Sequence, residues 1–144
     1  MIENYSDKWF LDVVRLIKEF HEEAVHEYDK EFISEAVVET IQTGDPSNCF
    51  LLIVNDSCQG LLYGTRIRSP LNGKTIFQEI MWYVSKPYRG HGIRFLNKVE
   101  KIVQSEGVGI IIMAVLENSK TEKLKAFYKR VGYKPIETHF MREL

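Results

Sequence analysis

The chain is short of nearly everything that marks a secreted, membrane-spanning or metal-stapled protein. Cysteine occurs only at Cys49 and Cys58. The two fall on neighbouring strand-like segments at a spacing that does not set them opposite each other, so reduced thiols of a cytoplasmic protein are expected. The opening, MIENYSDKWF, has no basic segment leading into an apolar run, and no signal peptide is read there. The longest apolar stretch, VGIIIMAVL, is far too short to cross a bilayer. Net charge is close to absent, −1 over 144 residues, which offers no general attraction to nucleic acid. Repeats, low-complexity tracts and linkers are missing as well. These absences leave a single domain over 1–144, long enough to bury a core without disulfides or metal.

What the chain does have is a charge asymmetry. Residues 1–48 carry twelve acidic and four basic side chains, and residues 49–144 carry eight acidic and fifteen basic ones. Solvated helix faces account for such a pattern; so does a site whose two ends want partners of opposite sign. The periodicity predicts an amphipathic helix from Ser6, with Phe10, Val13, Val14, Ile17, Phe20 and Ala24 on one face, and a second helix over 30–42. CFLLIVN and GLLYGTRIR read as strands of a hairpin joined through DSCQ, and TIFQEIMWYV as a longer strand closed by Pro87. A helix over 90–106, a buried strand in VGIIIMAVL, a helix over 121–131 ended by Gly132 and a final strand in KPIETHFMREL complete the pattern. The order α-α-β-β-β-α-β-α-β is that of an α/β domain with a mixed, mostly antiparallel sheet flanked by helices.

The chemistry points to residues 89–94, Arg-Gly-His-Gly-Ile-Arg, between a strand and a helix. A helix start leaves backbone N–H groups without acceptors, its dipole adds partial positive charge, and Arg89 and Arg94 add full charges. Gly90 and Gly92 keep Cβ atoms out of the way. A pyrophosphate suits such a place. The Gly-Lys-Ser/Thr ending of a nucleotide P-loop is absent, and so is the third glycine of a dinucleotide fingerprint.

This segment resembles the acyl-CoA motif of the GNAT superfamily of N-acetyltransferases, Arg/Gln-x-x-Gly-x-Gly/Ala after a strand. Arg89 and Gly92 match its first two fixed positions, and Arg94 stands where Gly or Ala is usual. AFYKRVGY is similar to the family's Tyr-x-x-x-Gly-Phe/Tyr helix end, giving Tyr128, Gly132 and Tyr133. Element order matches from the first helix onward, with the usual first strand shortened or missing. QEIMWYVSKPYRG is similar in wording to short members found in phage and prophage genomes.

The resemblance implies acetyl transfer from acetyl-CoA directly to an amine, with no metal. It places Val84, Arg89, Gly90, His91, Gly92, Ile93 and Arg94 on the acyl-CoA, the pantetheine arm lying along the strand that ends at Val84. Tyr128 takes the place of the proton donor to the leaving thiolate. Glu79, an acid inside an apolar strand, is the candidate base, with Gln78 on the other face. Asn118 lies near a family position that contacts the arm. It precedes Tyr128 by ten residues where seven is usual, and Thr121 holds that offset.

The family's first two helices wall the acceptor cleft, and here they carry Glu19, Glu22, Glu23, Glu27, Asp29, Glu31 and Glu35. A cationic amine acceptor is therefore expected. The alternative function is a catalytically silent module of the same fold that binds CoA or a partner protein. A nucleic-acid role is disfavoured by the acidic helices and the lack of clustered aromatic and basic residues. Oligomeric state is open, with a homodimer among the options. HEEAVH (His21, His26) is one residue too long for a zinc-protease motif, and its histidines cannot share a metal on one helix.

Overall fold

A computed structural model describes residues 1–25, 32–116 and 120–144. Its elements are β1 (Ile2–Asn4), α1 (Phe10–Phe20), α2 (Ser34–Thr43), β2 (Cys49–Val54), β3 (Ser57–Arg68), β4 (Thr75–Val84), α3 (Gly92–Ser105), β5 (Val108–Ile112) and α4 (Thr121–Arg130). The sheet runs β1-β2-β3-β4-β5. The first three pairings are antiparallel and β4–β5 is parallel. It is an α/β domain with a mixed sheet.

Each face of the sheet takes one pair of helices. In α1, Val13, Leu16 and Ile17 recur at helical spacing and bury against Leu51, Leu61, Met81 and Tyr83, together with Ile41 of α2. In α3, Phe95, Leu96, Val99 and Val103 do the same on the opposite face, against Phe50, Leu62, Phe77 and Val84. Tyr128 of α4 joins that second core. Alternation along β3 and β4 divides neighbouring side chains between the two cores, so both sides of these strands are apolar.

Two local features differ from the sequence reading, and the first strand is shortened, one of the two options it left open. The β2–β3 turn is Asn55-Asp56, with φ of 50° and 59°, so β3 begins at Ser57, ahead of the expected GLLYGTRIR strand. Two consecutive left-handed residues give the primed turn whose twist suits a hairpin. Cys49 faces Tyr63 and Cys58 faces Ile53, and both are buried free thiols. A first strand is present, three residues long, anchored where Ile53 donates its N–H to Met1 at 2.8 Å. The final strand expected in KPIETHFMREL does not form. Residues 133–144 adopt no regular structure, and Ile136, Phe140, Met141 and Leu144 are exposed. Helix α4 does end as expected: Gly132 has φ of 97°, and the Tyr133 N–H bonds the Tyr128 carbonyl at 2.9 Å.

The strand that matters most is β4. Tyr63 stands opposite Met81 but Gly64 stands opposite Glu79, which leaves Ile80 as an extra, unopposed residue. This bulge bends the strand and re-aims the side chains beyond it. Gly64 makes it possible. A Cβ there would lie 2.6 Å from both the Phe77 ring and the Gln78 carbonyl oxygen.

Candidate active site

β4 and β5 run side by side from Thr75 and Val108 to Gln78 and Ile112, and no farther. β4 then continues from Glu79 to Val84 with no strand on that side among the described residues. The bulge at Ile80 falls where the two strands part. Ending the pairing with β5, the last strand of the sheet, partway along β4 leaves a wedge with an uncovered strand edge along one wall. Such an edge can take an extended ligand as it would take another strand.

Glu79, Trp82 and Val84 face the α3–α4 side of the wedge, sharing that side with Phe77 and Leu62. Burial alone pushes the Glu79 carboxyl up to about 8. Tyr128 reaches the same region from α4, and its hydroxyl donates to the Ala114 carbonyl at 3.4 Å. Its phenol is raised well above the ordinary value, first by burial and then by the nearby Glu79 and Tyr133. Tyr133 packs on Tyr128 with ring centres 5.4 Å apart and donates to Glu100 Oε1 at 2.8 Å, which fixes the rings. The candidate base and the candidate acid thus come together from two separate elements.

At the far end of the wedge, a 3-10 turn over Lys86–His91 leads straight into α3. Tyr88 donates its N–H to Ser85 and Gly92 donates its own to Arg89, so part of the expected set of free N–H groups is spent inside the turn. The start of α3 has no side-chain cap. Neither Gly90 nor Gly92 has a positive φ. A Cβ at Gly90 would meet nothing within 4 Å, and one at Gly92 only Cζ2 of Trp82, at 4.0 Å. Neither the backbone nor internal packing requires glycine at these two positions. They leave room outside the chain. His91 and Arg94 are exposed beside that room, and Ile93 is 45% exposed.

Arg89 turns the other way. Its Nε donates to the Val84 carbonyl at 3.1 Å, its guanidinium pairs with Glu23 at 2.5 Å, and it lies over the Tyr83 ring. Glu23, from the π-helical turn His21–Val25 after α1, also accepts from Tyr83 Oη at 2.8 Å and pairs with Lys120 just before α4. Burial works against its charge, but the hydrogen bonds from Arg89, Lys120 and Tyr83 outweigh that and hold its carboxyl at about 2. One carboxylate therefore ties together the extension of α1, the end of β4, the glycine loop and the residue before α4. Nothing local in HEEAVH distinguishes Glu23 from Glu22, and its role emerges only from the pairing.

Asn118 lies outside the described residues, as do Glu27, Asp29 and Glu31. Of the remaining acids on the first two helices, Glu19 is engaged by Arg15 and Ser85, while Glu22 and Glu35 are exposed. Among the described residues, no group of three His, Cys, Asp or Glu side chains is placed to hold a metal ion. No described helix is long and apolar enough to cross a membrane.

A sequence model of the acetyltransferase (GNAT) family matches residues 10–133. No curated protein sequence matches the chain significantly. Solved structures do resemble it. One is a possible acetyltransferase from Clostridium difficile 630, with TM-score 0.78 and 16% identity over 100% of this chain and 97% of that one. Another is an aminoglycoside acetyltransferase from an uncultured soil metagenomic sample, in complex with trehalose, with TM-score 0.73 and 16% identity over 100% and 95%. A third, Arabidopsis thaliana Naa50 in complex with the bisubstrate analogue CoA-Ac-MVNAL, gives TM-score 0.66 and 21% identity over 95% and 84%. At these identities the structural likeness speaks for the fold.

Proposed function

The chain belongs to the GNAT acetyltransferase family, whose co-substrate is acetyl-CoA, and from that premise we propose that residues 1–144 form one domain moving an acetyl group from acetyl-CoA to a primary amine. The observation that carries this reading is the edge of β4 from Glu79 to Val84, which no strand covers among the described residues and whose Val84 carbonyl is held by Arg89 Nε, running into a loop whose two glycines leave space outside the chain. Gly90, His91, Gly92, Ile93 and Arg94 would hold the pyrophosphate, and the β4 edge to Val84 would hold the pantetheine arm. Arg89 belongs to the same loop through its side-chain bonds to Val84 and Glu23, as a positioning residue.

Acetyl-CoA supplies an activated thioester; the residues supply the proton traffic. As the amine nitrogen bonds to the acetyl carbon and the carbon–sulfur bond breaks, Glu79 takes the proton released by nitrogen, directly or through a water. Tyr128 gives its proton to the departing sulfur. A carboxyl at about 8 is a far stronger base than an exposed one and is still largely deprotonated at mildly alkaline pH. Burial keeps the Tyr128 proton in place until a base arrives. A thiolate expelled into the same dry cleft is itself strengthened as a base by desolvation. This pair favours the enzyme over the silent module, since a binding fold has no need of it.

The acceptor in this reading is a cationic amine, supported by the acid-rich first two helices and by the aminoglycoside acetyltransferase among the similar structures. Glu19 and Glu23 are spent on internal partners, so Glu22, Glu35 and the acids over 26–31 would provide the attraction. A cytoplasmic setting agrees with two buried thiols left unpaired. Acetyl-CoA-dependent release of free thiol, measured across a panel of amines, tests the function. Release with at least one amine, lost in Tyr128→Phe, supports it. A protein whose melting temperature does not move at millimolar CoA overturns it, and Gly92→Glu should abolish the shift that the parent shows.

A further inference from the structure

Among the described residues, one buried side-chain polar atom lacks a hydrogen-bond partner: Nε1 of Trp82. Its position is informative. Trp82 lies on the β4 segment that has lost its β5 neighbour, opposite Leu62, facing the α3–α4 side. Its ring sits 5.9 Å from Phe127 and 6.0 Å from Tyr128, centre to centre. The carbon bearing Nε1 is bonded to Cζ2, the atom 4.0 Å from where a Gly92 Cβ would stand. The orphaned donor is therefore lodged between the candidate acid and the start of α3.

An indole N–H can only donate, and burying it unpaired is costly. A ring that merely filled this space would serve as well without nitrogen, as Phe50, Phe77 and Phe95 do in the same core. Resting on the acyl-CoA reading above, we propose that Trp82 is an acyl-CoA-binding residue, its Nε1–H donating to an oxygen of the pyrophosphate or of a pantetheine amide. The donor reaches no solvent as it stands, so donation entails a small tilt of the ring. The free space beside Gly92 permits that tilt.

Two properties separate this role from simple packing. Trp82→Phe removes a donor that is unpaired without ligand, which offsets part of the packing lost with the smaller ring, so its melting temperature without CoA should fall little. Its CoA affinity should nevertheless fall by roughly two- to a hundred-and-fiftyfold, the range for one lost hydrogen bond to a polar or charged acceptor. In the parent, the indole proton of Trp82, identified by comparison with Trp9→Phe, should move downfield in a nitrogen-15 NMR spectrum as CoA saturates the site. Inorganic pyrophosphate and pantetheine, added separately, show which oxygen is responsible by which one moves the signal. An indole resonance unmoved at saturating CoA overturns the inference while leaving the function standing, and so does undiminished affinity in Trp82→Phe. If the parent binds no CoA, both fall together. The NMR readout uses the unaltered Trp82 and stands even if Trp82→Phe fails to fold.

Discussion

Glu79 and Tyr128 carry the chemistry in the proposed mechanism, and each makes a separable prediction. Tyr128→Phe keeps the ring in its core and removes only the hydroxyl. Turnover should fall by roughly ten- to a thousandfold while CoA affinity stays nearly unchanged, as read by steady-state kinetics and calorimetry. Glu79 is held protonated by burial, up to about 8. The parent's rate should therefore rise with pH through that region, and Glu79→Gln should flatten the rise. A weakly basic acceptor amine keeps the amine's own titration out of the window. The same shift has a stability sign. A carboxyl raised above its ordinary 4.5 favours the fold fully at pH below that value, and the contribution declines as pH climbs through about 8. Glu79→Gln should therefore gain in melting temperature relative to the parent between pH 5 and 9.

The elements matter through their junctions. Glu23 joins α1's extension to β4, the glycine loop and α4. Its carboxyl is depressed to about 2 from 4.5, so its contribution is complete above pH 4.5 and is lost as pH falls toward 2. Glu23→Gln should cost on the order of 1–3 kcal/mol at neutral pH and shrink the parent's loss of stability between pH 5 and 2, as measured by urea unfolding. Arg89, released from Glu23, should also hold the loop less firmly and raise the Michaelis constant for acetyl-CoA. The bulge in β4 offers a second test. Gly64→Ala sets a methyl group 2.6 Å from the Phe77 ring and the Gln78 carbonyl. A cost of about 1–3 kcal/mol is expected, together with reduced turnover, because Glu79 stands directly opposite Gly64.

At the scale of the whole molecule the charges are segregated. Helices α1 and α2 cover one face of the sheet and lie in the acid-rich part of the chain, while α3 and α4 cover the other face. The proposed acetyl-CoA loop, with Arg94 and His91 exposed, opens beside α3; the proposed acceptor side lies at α1 and α2. An anionic co-substrate and a cationic acceptor would then each approach a surface of opposite sign. Rates with a cationic and an anionic primary amine, compared from about 20 to about 300 mM salt, should show a preference for the cation that shrinks as salt rises. Equal preference at low salt would remove the cationic acceptor and leave the acetyl transfer untouched.

Helices, central strands and the glycine loop are legible in the sequence, because each depends on contacts within a few residues. Periodic apolar positions define α1 and α3, TIFQEIMWYV coincides with β4, and Gly132 stops α4 through its own backbone. Tyr128 stands out by its motif and Glu79 as an acid in an apolar strand, but that the two share one region is a tertiary fact. Tertiary structure decided the rest. The bulge at Ile80 exists only as a mismatch between two strands, and the wedge exists only because β5 stops pairing at Ile112. Glu23 reads as one more exposed helix acid until Arg89 and Lys120, distant in sequence, close around it. The terminal strand did not form although the outer edges of β1 and β5 stay open among the described residues. Trp82 reads as a core residue in sequence, and only the packed structure shows its nitrogen without a partner.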